Sequence, residues 1–208
     1  ILVRKIIDAD NSCLFNAIGY LISGGGGPEF LKFNPMTYRK IVHDVIMEGS
    51  MPEVQVMLDK PPMEYANWIL NPDKWGGEIE LYILAKHLGV EITAVDIRTG
   101  NCLTYGQGSV VSSEDLSFRR IYVIYDGVHY DAVVRPQVGA TETTAFNSND
   151  NETLAEVQEL ARKLRENKQF VNLSTGSLQC KVCFVPLEGE AAAVEHAKNT
   201  GHQNFGQI

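Results

Sequence analysis

The chain has 208 residues, 44% of them hydrophobic and 21% charged, and carries a formal net charge of −8. That length suits one medium domain, with or without a small appendage, and allows an ample core. The acidic balance argues against a nucleic-acid-binding body and an anionic membrane surface, and no apolar run is long enough to cross a bilayer as a helix.

The chain begins Ile1-Leu2-Val3 without a methionine, which reads as a trimmed fragment, so a missing signal peptide carries little information. Residues 1–7 predict a strand leading into a polar loop, Asp8-Ala9-Asp10-Asn11-Ser12-Cys13. Leu14, Ala17, Ile18, Leu21 and Ile22 then recur at helical spacing. Cys13 therefore sits at a helix N-terminus, where unpaired N–H groups and the helix dipole favour a thiolate and suit a developing oxyanion. The blander reading of Cys13 is a small buried hydrophobe. Glycines 24–27 end the helix. They lack a following Lys-Ser/Thr and come after a helix, so they do not read as a phosphate loop. Asn34-Pro35 predicts the N-cap and first residue of a second helix, with Tyr38, Ile41, Val42, Val45 and Ile46 on its buried side. A short helix follows Pro52, and another covers residues 63–70, ending before Asn71-Pro72.

Trp75-Gly76-Gly77 precedes a helix through Ile79, Tyr82, Ile83 and Leu88 that closes at Gly89. The glycines let another backbone pass close by. Trp75 is either the wall of an apolar groove or, as a lone tryptophan more often is, a core residue. Residues 90–97 read as a strand, 98–101 as a turn, 102–105 as a returning strand and 106–117 as a surface loop. Residues 121–125 form a strongly apolar strand, Asp126-Gly127 is a hairpin signal, and residues 129–134 return. Side chains two apart on a strand share a face, so His129 and Asp131 point the same way. A carboxylate there binds one imidazole nitrogen and leaves the other for a thiol. His43 and His87 have no partners at useful spacing. Residues rich in Thr, Ser, Gly and Asn from 136 to 149 read as a linker. An amphipathic helix follows over 152–168, with Leu154, Val157, Leu160, Ala161 and Leu164 as one stripe that docks on the main domain or on a partner; docking in cis is the simpler expectation.

Of the four cysteines, Cys13 and Cys102 are isolated, whereas the tail reads Cys180-x2-Cys183-x12-His196-x5-His202. This pattern fits a reducing compartment such as the cytosol, one reactive thiol and one metal site rather than two disulfides. Two thiolates and two imidazoles suit tetrahedral zinc, which would supply the folding energy of so small a segment and leave no open position for catalysis. His196 and His202 are more than one helical turn apart, so the helix must tighten or bend near Gly201. A second reading makes the finger a nucleic-acid binder, since its spacing resembles U1-type RNA-associated fingers. Against it, residues 176–208 carry Lys181 and Lys198 with Glu188, Glu190 and Glu195, a net of −1 where phosphate binding calls for a basic surface.

The cysteine loop, the distant His-x-Asp and the Trp-Gly-Gly together resemble the ovarian-tumour (OTU) family of cysteine deubiquitinases over residues 4–135. Asp10-Asn11-Ser12-Cys13-Leu14-Phe15 is similar to that family's Cys loop and Tyr125-Asp126-Gly127-Val128-His129-Tyr130-Asp131 to its His loop. With a helix and a two-Cys, two-His finger behind them, the chain is most similar to the family's OTU1-type branch. The resemblance implies an α/β (α+β) catalytic domain at 1–135, with a small central sheet flanked by helices. Behind it come a linker at 136–151, an amphipathic helix at 152–170 and a C2H2-type zinc finger at 171–208. It implies Cys13 as nucleophile, His129 as general base and Asp131 as the residue orienting His129. Asp10 is the Cys-loop aspartate, whose neighbouring N–H groups form the oxyanion hole. Ubiquitin and polyubiquitin are the implied substrates, with Trp75, Gly76 and Gly77 as a candidate wall of the channel for the ubiquitin tail and Asn11 and Tyr130 as further substrate-binding residues. A segment beyond the His loop, holding Asn151 and Glu156, contributes a second ubiquitin site. Branch members work with the valosin-containing-protein ATPase in extracting ubiquitinated substrates, as in ER-associated degradation, in the cytoplasm and, as an alternative, the nucleus. They dock on it through an N-terminal UBX-like domain, which nothing here resembles. The glycine run at 24–27 and the loop at 106–117 are longer than the family leads one to expect, which leaves linkage preference open. A ubiquitin-binding pseudoenzyme with Cys13 out of line is the rival, and intact Asp10, Cys13, His129 and Asp131 argue against it.

Overall fold

The structure, a computed structural model, describes residues 1–25, 34–108, 119–171, 177–202 and 205–207. Gly26, Gly27 and most of the loop expected at 106–117 lie outside the described residues. The helices form where the apolar spacing and the capping residues agree. Helix α1 (Cys13–Ile22) begins at Cys13, and α2 (Pro35–Glu48) begins where the Asn34 side chain accepts the Thr37 N–H at 3.1 Å. Then come α3 (Pro52–Met57), α4 (Pro62–Leu70) and α5 (Glu78–Leu88), the last closed by Gly89 in the left-handed conformation (φ 63°).

The sheet is built from β1 (Val3–Lys5), β2 (Glu91–Asp96), β3 (Cys102–Tyr105), β4 (Arg119–Tyr125), β5 (Tyr130–Val134) and the short β6 (Phe146–Asn147). Its order is β1-β5-β4-β2-β3, with β6 added beside β4. The β2–β4 pair is parallel and the others are antiparallel. The side chains of β4 alternate between two cores. Ile121 and Val123 join Phe15, Ile18, Val42, Ile69 and Leu84 of the helices, while Tyr122 and Ile124 join Leu2, Val95 and Val133 on the opposite face. That second face is covered by α6 (Asn151–Glu166), through Val157, Ala161 and Leu164. The amphipathic stripe thus docks in cis.

Residues 136–151, expected as a linker, are instead tied into the body. Arg135 and Thr143 exchange backbone hydrogen bonds at 2.9 Å, the Thr144 hydroxyl donates to Leu21 O at 2.8 Å, and β6 pairs with β4. Asp150 caps α6 by accepting the Thr153 N–H at 3.0 Å. The physical reason is that a strand apolar on both faces needs a second layer, and this segment must deliver it in register. His43, expected to lack a partner, pairs with its neighbour Asp44 at 2.7 Å.

The tail forms its own small sheet, β8-β7-β9, from β7 (Ser177–Cys180), β8 (Pro186–Glu188) and β9 (Phe205–Gln207), with α7 (Gly189–Thr200) beside it. Gly201 ends α7 in the left-handed conformation (φ 75°), which lets His202 turn back towards His196.

Full burial of a valine or leucine side chain is worth about 1.5–3 kcal/mol, so stripping α6 removes much of a typical 5–15 kcal/mol stability. A chain ending at Arg135 should therefore lose its cooperative melting transition and bind an apolar dye, whereas one ending at Val171 should melt in one step. Equal melting temperatures for the two would show that α6 does not complete the core.

Candidate active site

The Cys loop is shaped by its own polar groups. Asp10 Oδ1 accepts the Ser12 N–H at 2.8 Å, and the Asp10 carboxylate also receives Asn16 Nδ2 at 3.0 and 3.1 Å. The Cys13 N–H makes only a long bond to Asp10 O, 3.3 Å. Cys13 itself is half-buried at the first turn of α1.

From behind, the loop is held by Arg39 of α2, which is wholly buried. Its Nη2 lies 3.0 Å from Asn11 O, 2.9 Å from Ser12 Oγ and 2.7 Å from Lys74 O, and its Nη1 donates to Ile69 O at 2.8 Å. The Phe15 ring lies 4.4 Å from the centre of the guanidinium. Burial lowers the Arg39 pKa, and Glu80 and Asp10 oppose that effect.

Lys74 leads into Trp75-Gly76-Gly77. Trp75 is exposed rather than core, and its Nε1 donates to Asn11 Oδ1 at 2.8 Å, so the two wall residues fix each other. A Cβ on Gly76 would fall 2.7 Å from Leu14 Cδ2 and 3.0 Å from the Phe15 ring; this glycine lets the strap lie directly on α1. The Gly77 N–H donates to Glu80 Oε2 at 2.6 Å, and the Tyr65 hydroxyl donates to the other oxygen at 2.7 Å.

Across the cleft, Asp126 Oδ1 accepts the N–H groups of Val128 and His129 at 3.1 and 2.9 Å and bends the His loop. His129 Nε2 lies 3.0 Å from Asp131 Oδ1 and 3.1 Å from Ile7 O. The Cys13 sulfur accepts the N–H of the adjacent Tyr130 at 3.5 Å and lines the same cleft as the ring. Asp131 is fully buried. Its Oδ1 also takes the Ile7 N–H at 2.7 Å, and its Oδ2 takes Arg4 Nε at 2.5 Å. Burial opposes a charge on His129, but Asp131 and Cys13 outweigh it and push the pKa up to about 10. Burial likewise opposes ionisation of Asp131, and His129, the Ile7 N–H and Arg4 together hold its carboxyl below the usual range. At neutral pH the pair is imidazolium and carboxylate, and an imidazolium beside a cysteine sulfur favours the thiolate.

Cys13, His129, Asp131, Asp10, Asn11 and Trp75 all line one cleft of about 640 Å³. Gly76 and Gly77 lie behind Trp75, lining a neighbouring hollow, and the Tyr130 ring stacks on Tyr125 at 4.6 Å. Asn151 and Glu156 do not line the cleft; both are exposed on α6, Glu156 paired with Arg135 at 3.0 Å. The geometry adds Arg4, Arg39 and Glu80 to the site. Arg39 was detectable as a basic residue sharing the helical stripe of Val42 and Ile46, whereas nothing local distinguishes Arg4. Lys181 and Phe205 of the finger also line the cleft. The segment before the finger meets the His loop, with the Val171 N–H donating to Asp126 O at 2.7 Å. A Cβ on Gly127 (φ 115°) would lie 2.6 Å from Val171 O.

In the finger, the ligand atoms of Cys180, Cys183, His196 and His202 all lie within 4.8 Å of one another. His202 Nδ1 is shielded from solvent with no hydrogen-bond partner among the described residues. Burial opposes ionisation of Cys180, but the N–H groups of Cys183 and Val182 outweigh it and lower the pKa. Two sulfurs and two imidazoles at this spacing fit zinc.

Residues 8–130 match the profile of OTU-like cysteine proteases, and residues 174–208 match that of the C-terminal C2H2-type zinc finger of ubiquitin thioesterase OTU1. The chain is 36% identical over its whole length to ubiquitin thioesterase OTU1 of Homo sapiens and 35% identical to that of Xenopus laevis, and it spans 58% and 66% of those proteins. It is 38% identical to ovarian tumor domain-containing deubiquitinating enzyme 2 of Arabidopsis thaliana, covering 97% of it. A solved ovarian tumor (OTU) domain in complex with ubiquitin superposes with a TM-score of 0.66 at 29% identity, covering 82% of this chain and 90% of that one. The chain belongs to the OTU-like cysteine protease family, and it carries the family's OTU1-type zinc finger at its C-terminal end.

Proposed function

We propose that this chain is a thiol-dependent deubiquitinase that hydrolyses isopeptide bonds in polyubiquitin or ubiquitinated proteins. The observation that carries the reading is the convergence of Cys13, His129 and Asp131 on one open cleft, with His129 Nε2 3.0 Å from Asp131 Oδ1 and the Tyr130 N–H 3.5 Å from the Cys13 sulfur. The Cys13 thiolate attacks the carbonyl that joins a ubiquitin C-terminus to a lysine amine. Negative charge develops on that oxygen beside the Cys loop. The donors are the N–H groups of Asn11 and Cys13, the latter engaged in the loop only by its long 3.3 Å bond to Asp10 O. His129 gives its proton to the departing amine, which leaves an acyl-thioester on Cys13. Water then adds as His129 takes a proton from it, and Cys13 leaves as thiolate. Asp131 holds the ring so that Nε2 faces away from the sulfur. Trp75 walls the channel for the small residues of the ubiquitin tail.

The placement of Cys13, His129 and Asp131 in one cleft favours this reading over a ubiquitin-binding pseudoenzyme. The net charge of −1 on the finger favours it over a nucleic-acid binder. Cys180, Cys183, His196 and His202 hold one structural zinc ion, which supplies folding energy and no chemistry at Cys13. Likeness to OTU1-type proteins also supports a cytoplasmic role beside the valosin-containing-protein ATPase in quality control. Co-purification with that ATPase tests it.

An electrophilic ubiquitin probe should label Cys13 and spare Cys102, whose thiol pKa is raised by burial. Mass spectrometry locates the adduct, and labelling that survives Cys13→Ala would sink the assignment.

Asp131→Asn should lower kcat by about 10- to 10⁴-fold with little change in KM, because the carboxylate matters when imidazolium forms. It should also shift the pH profile. His129 is held protonated partly by Asp131, so losing that charge lowers its pKa, and the basic limb of kcat/KM should move to lower pH. The same sign governs stability: His129 stabilises the fold fully below its unfolded pKa of about 6.5, and this is lost as pH rises towards about 10.

Cys180→Ser should abolish zinc binding, read by metal analysis, while the melting transition of the α/β body stays in place. The two cores include no residue of the finger itself, so loss of that transition would mean that the finger is built into the catalytic fold.

A further inference from the structure

Arg39 is the largest fully buried side chain among the described residues, and its charge lies beneath the Cys loop rather than in the cleft. A buried cation is expensive, and an apolar residue of similar size would fill the space at lower cost. What an arginine alone supplies is a planar set of donors at fixed angles. Here those donors reach two separate stretches of chain. On one side are Asn11 O and Ser12 Oγ of the Cys loop, and on the other Lys74 O and Pro72 O of the strap that carries Trp75. The grip also acts on a single peptide unit from both ends. Arg39 holds the Asn11 carbonyl while Asp10 holds the Ser12 N–H, which fixes the Asn11–Ser12 peptide, one unit ahead of the peptide that joins Ser12 to Cys13.

We propose that Arg39 is a positioning residue: its guanidinium locks the Cys loop and the Trp75 strap to each other, so that the oxyanion-binding face and the channel wall form one rigid unit. Arg39 touches neither sulfur nor substrate. It acts through the orientation of the Asn11–Ser12 peptide and through the bond between Trp75 Nε1 and Asn11 Oδ1, which exists only if both stretches keep their relative place. The activity consequences rest on the deubiquitinase reading; the structural consequence does not.

Arg39→Lys carries the test, since it keeps the charge and stem but loses the fan of donors; Arg39→Met, which strands all the acceptors, serves as the extreme. With folding verified by circular dichroism, Arg39→Lys should lower kcat on a ubiquitin C-terminal ester about 10²-fold, with KM within about threefold of the parent. Alkylation of Cys13 by iodoacetamide, and its pH dependence, should stay as in the parent, because His129 and Asp131 are anchored across the cleft by Ile7 and Arg4. The Trp75 indole N–H resonance should move towards that of a solvent-exposed indole, while that of Trp68 stays put. Unchanged kcat, a loss confined to KM, or a shifted alkylation profile would overturn the proposal, as would an unmoved Trp75 resonance. A parent protein inactive on the ester but with rapid alkylation would defeat the deubiquitinase reading, and the Trp75 resonance would then decide the role of Arg39.

Discussion

The carboxylate of Asp131 is fully buried, and its charge is tolerated there because both oxygens are met by donors from distant parts of the chain. One takes the Ile7 N–H and His129 Nε2, and the other takes Arg4. Those contacts fasten the end of β1 to the start of β5 and orient the imidazole in the same act. Removing any one of the donors leaves a buried charge short of a partner, which is costly in a region of low dielectric. The loop between Ile7 and Cys13 is short, so the position of Cys13 relative to His129 also follows from this anchoring.

Much of this was legible beforehand. The apolar repeat after Cys13, Asn34-Pro35, Gly89 and Asp126-Gly127 each mark a boundary close to its observed place, because each acts through local backbone chemistry. His129 and Asp131 could be paired from strand periodicity alone. What escaped was tertiary. Arg4 and Arg39 work through partners tens of residues away, and no short window of sequence contains both members of those contacts. Residues 136–151 look like a linker because they are small and polar, yet they pair with β4 and Arg135. A clue was present in Ile121-Tyr122-Val123-Ile124-Tyr125: a strand without polar alternation is covered on both sides, so something after it had to provide the second layer.

The finger is covalently distant but spatially near. Lys181 and Phe205 share the cleft with Cys13, and Val171 is hydrogen-bonded to the His loop. Cys180, Cys183, His196 and His202 gather among themselves, whereas Val171, ahead of β7 in the chain, is bonded to the His loop.

The sulfur of Cys13 and the Tyr130 N–H that contacts it are 117 positions apart in the chain, and the paired strands that bring their neighbourhoods together, β1 and β5, come from opposite ends of residues 1–135. Such long-range pairing forms late, after the local helices. As the chain leaves the ribosome, Cys13 emerges long before His129, and the two side chains share a cleft only once β1 has paired with β5. Any chemistry that needs both of them, as the proposed hydrolysis does, is therefore confined to chains whose outermost strand has closed.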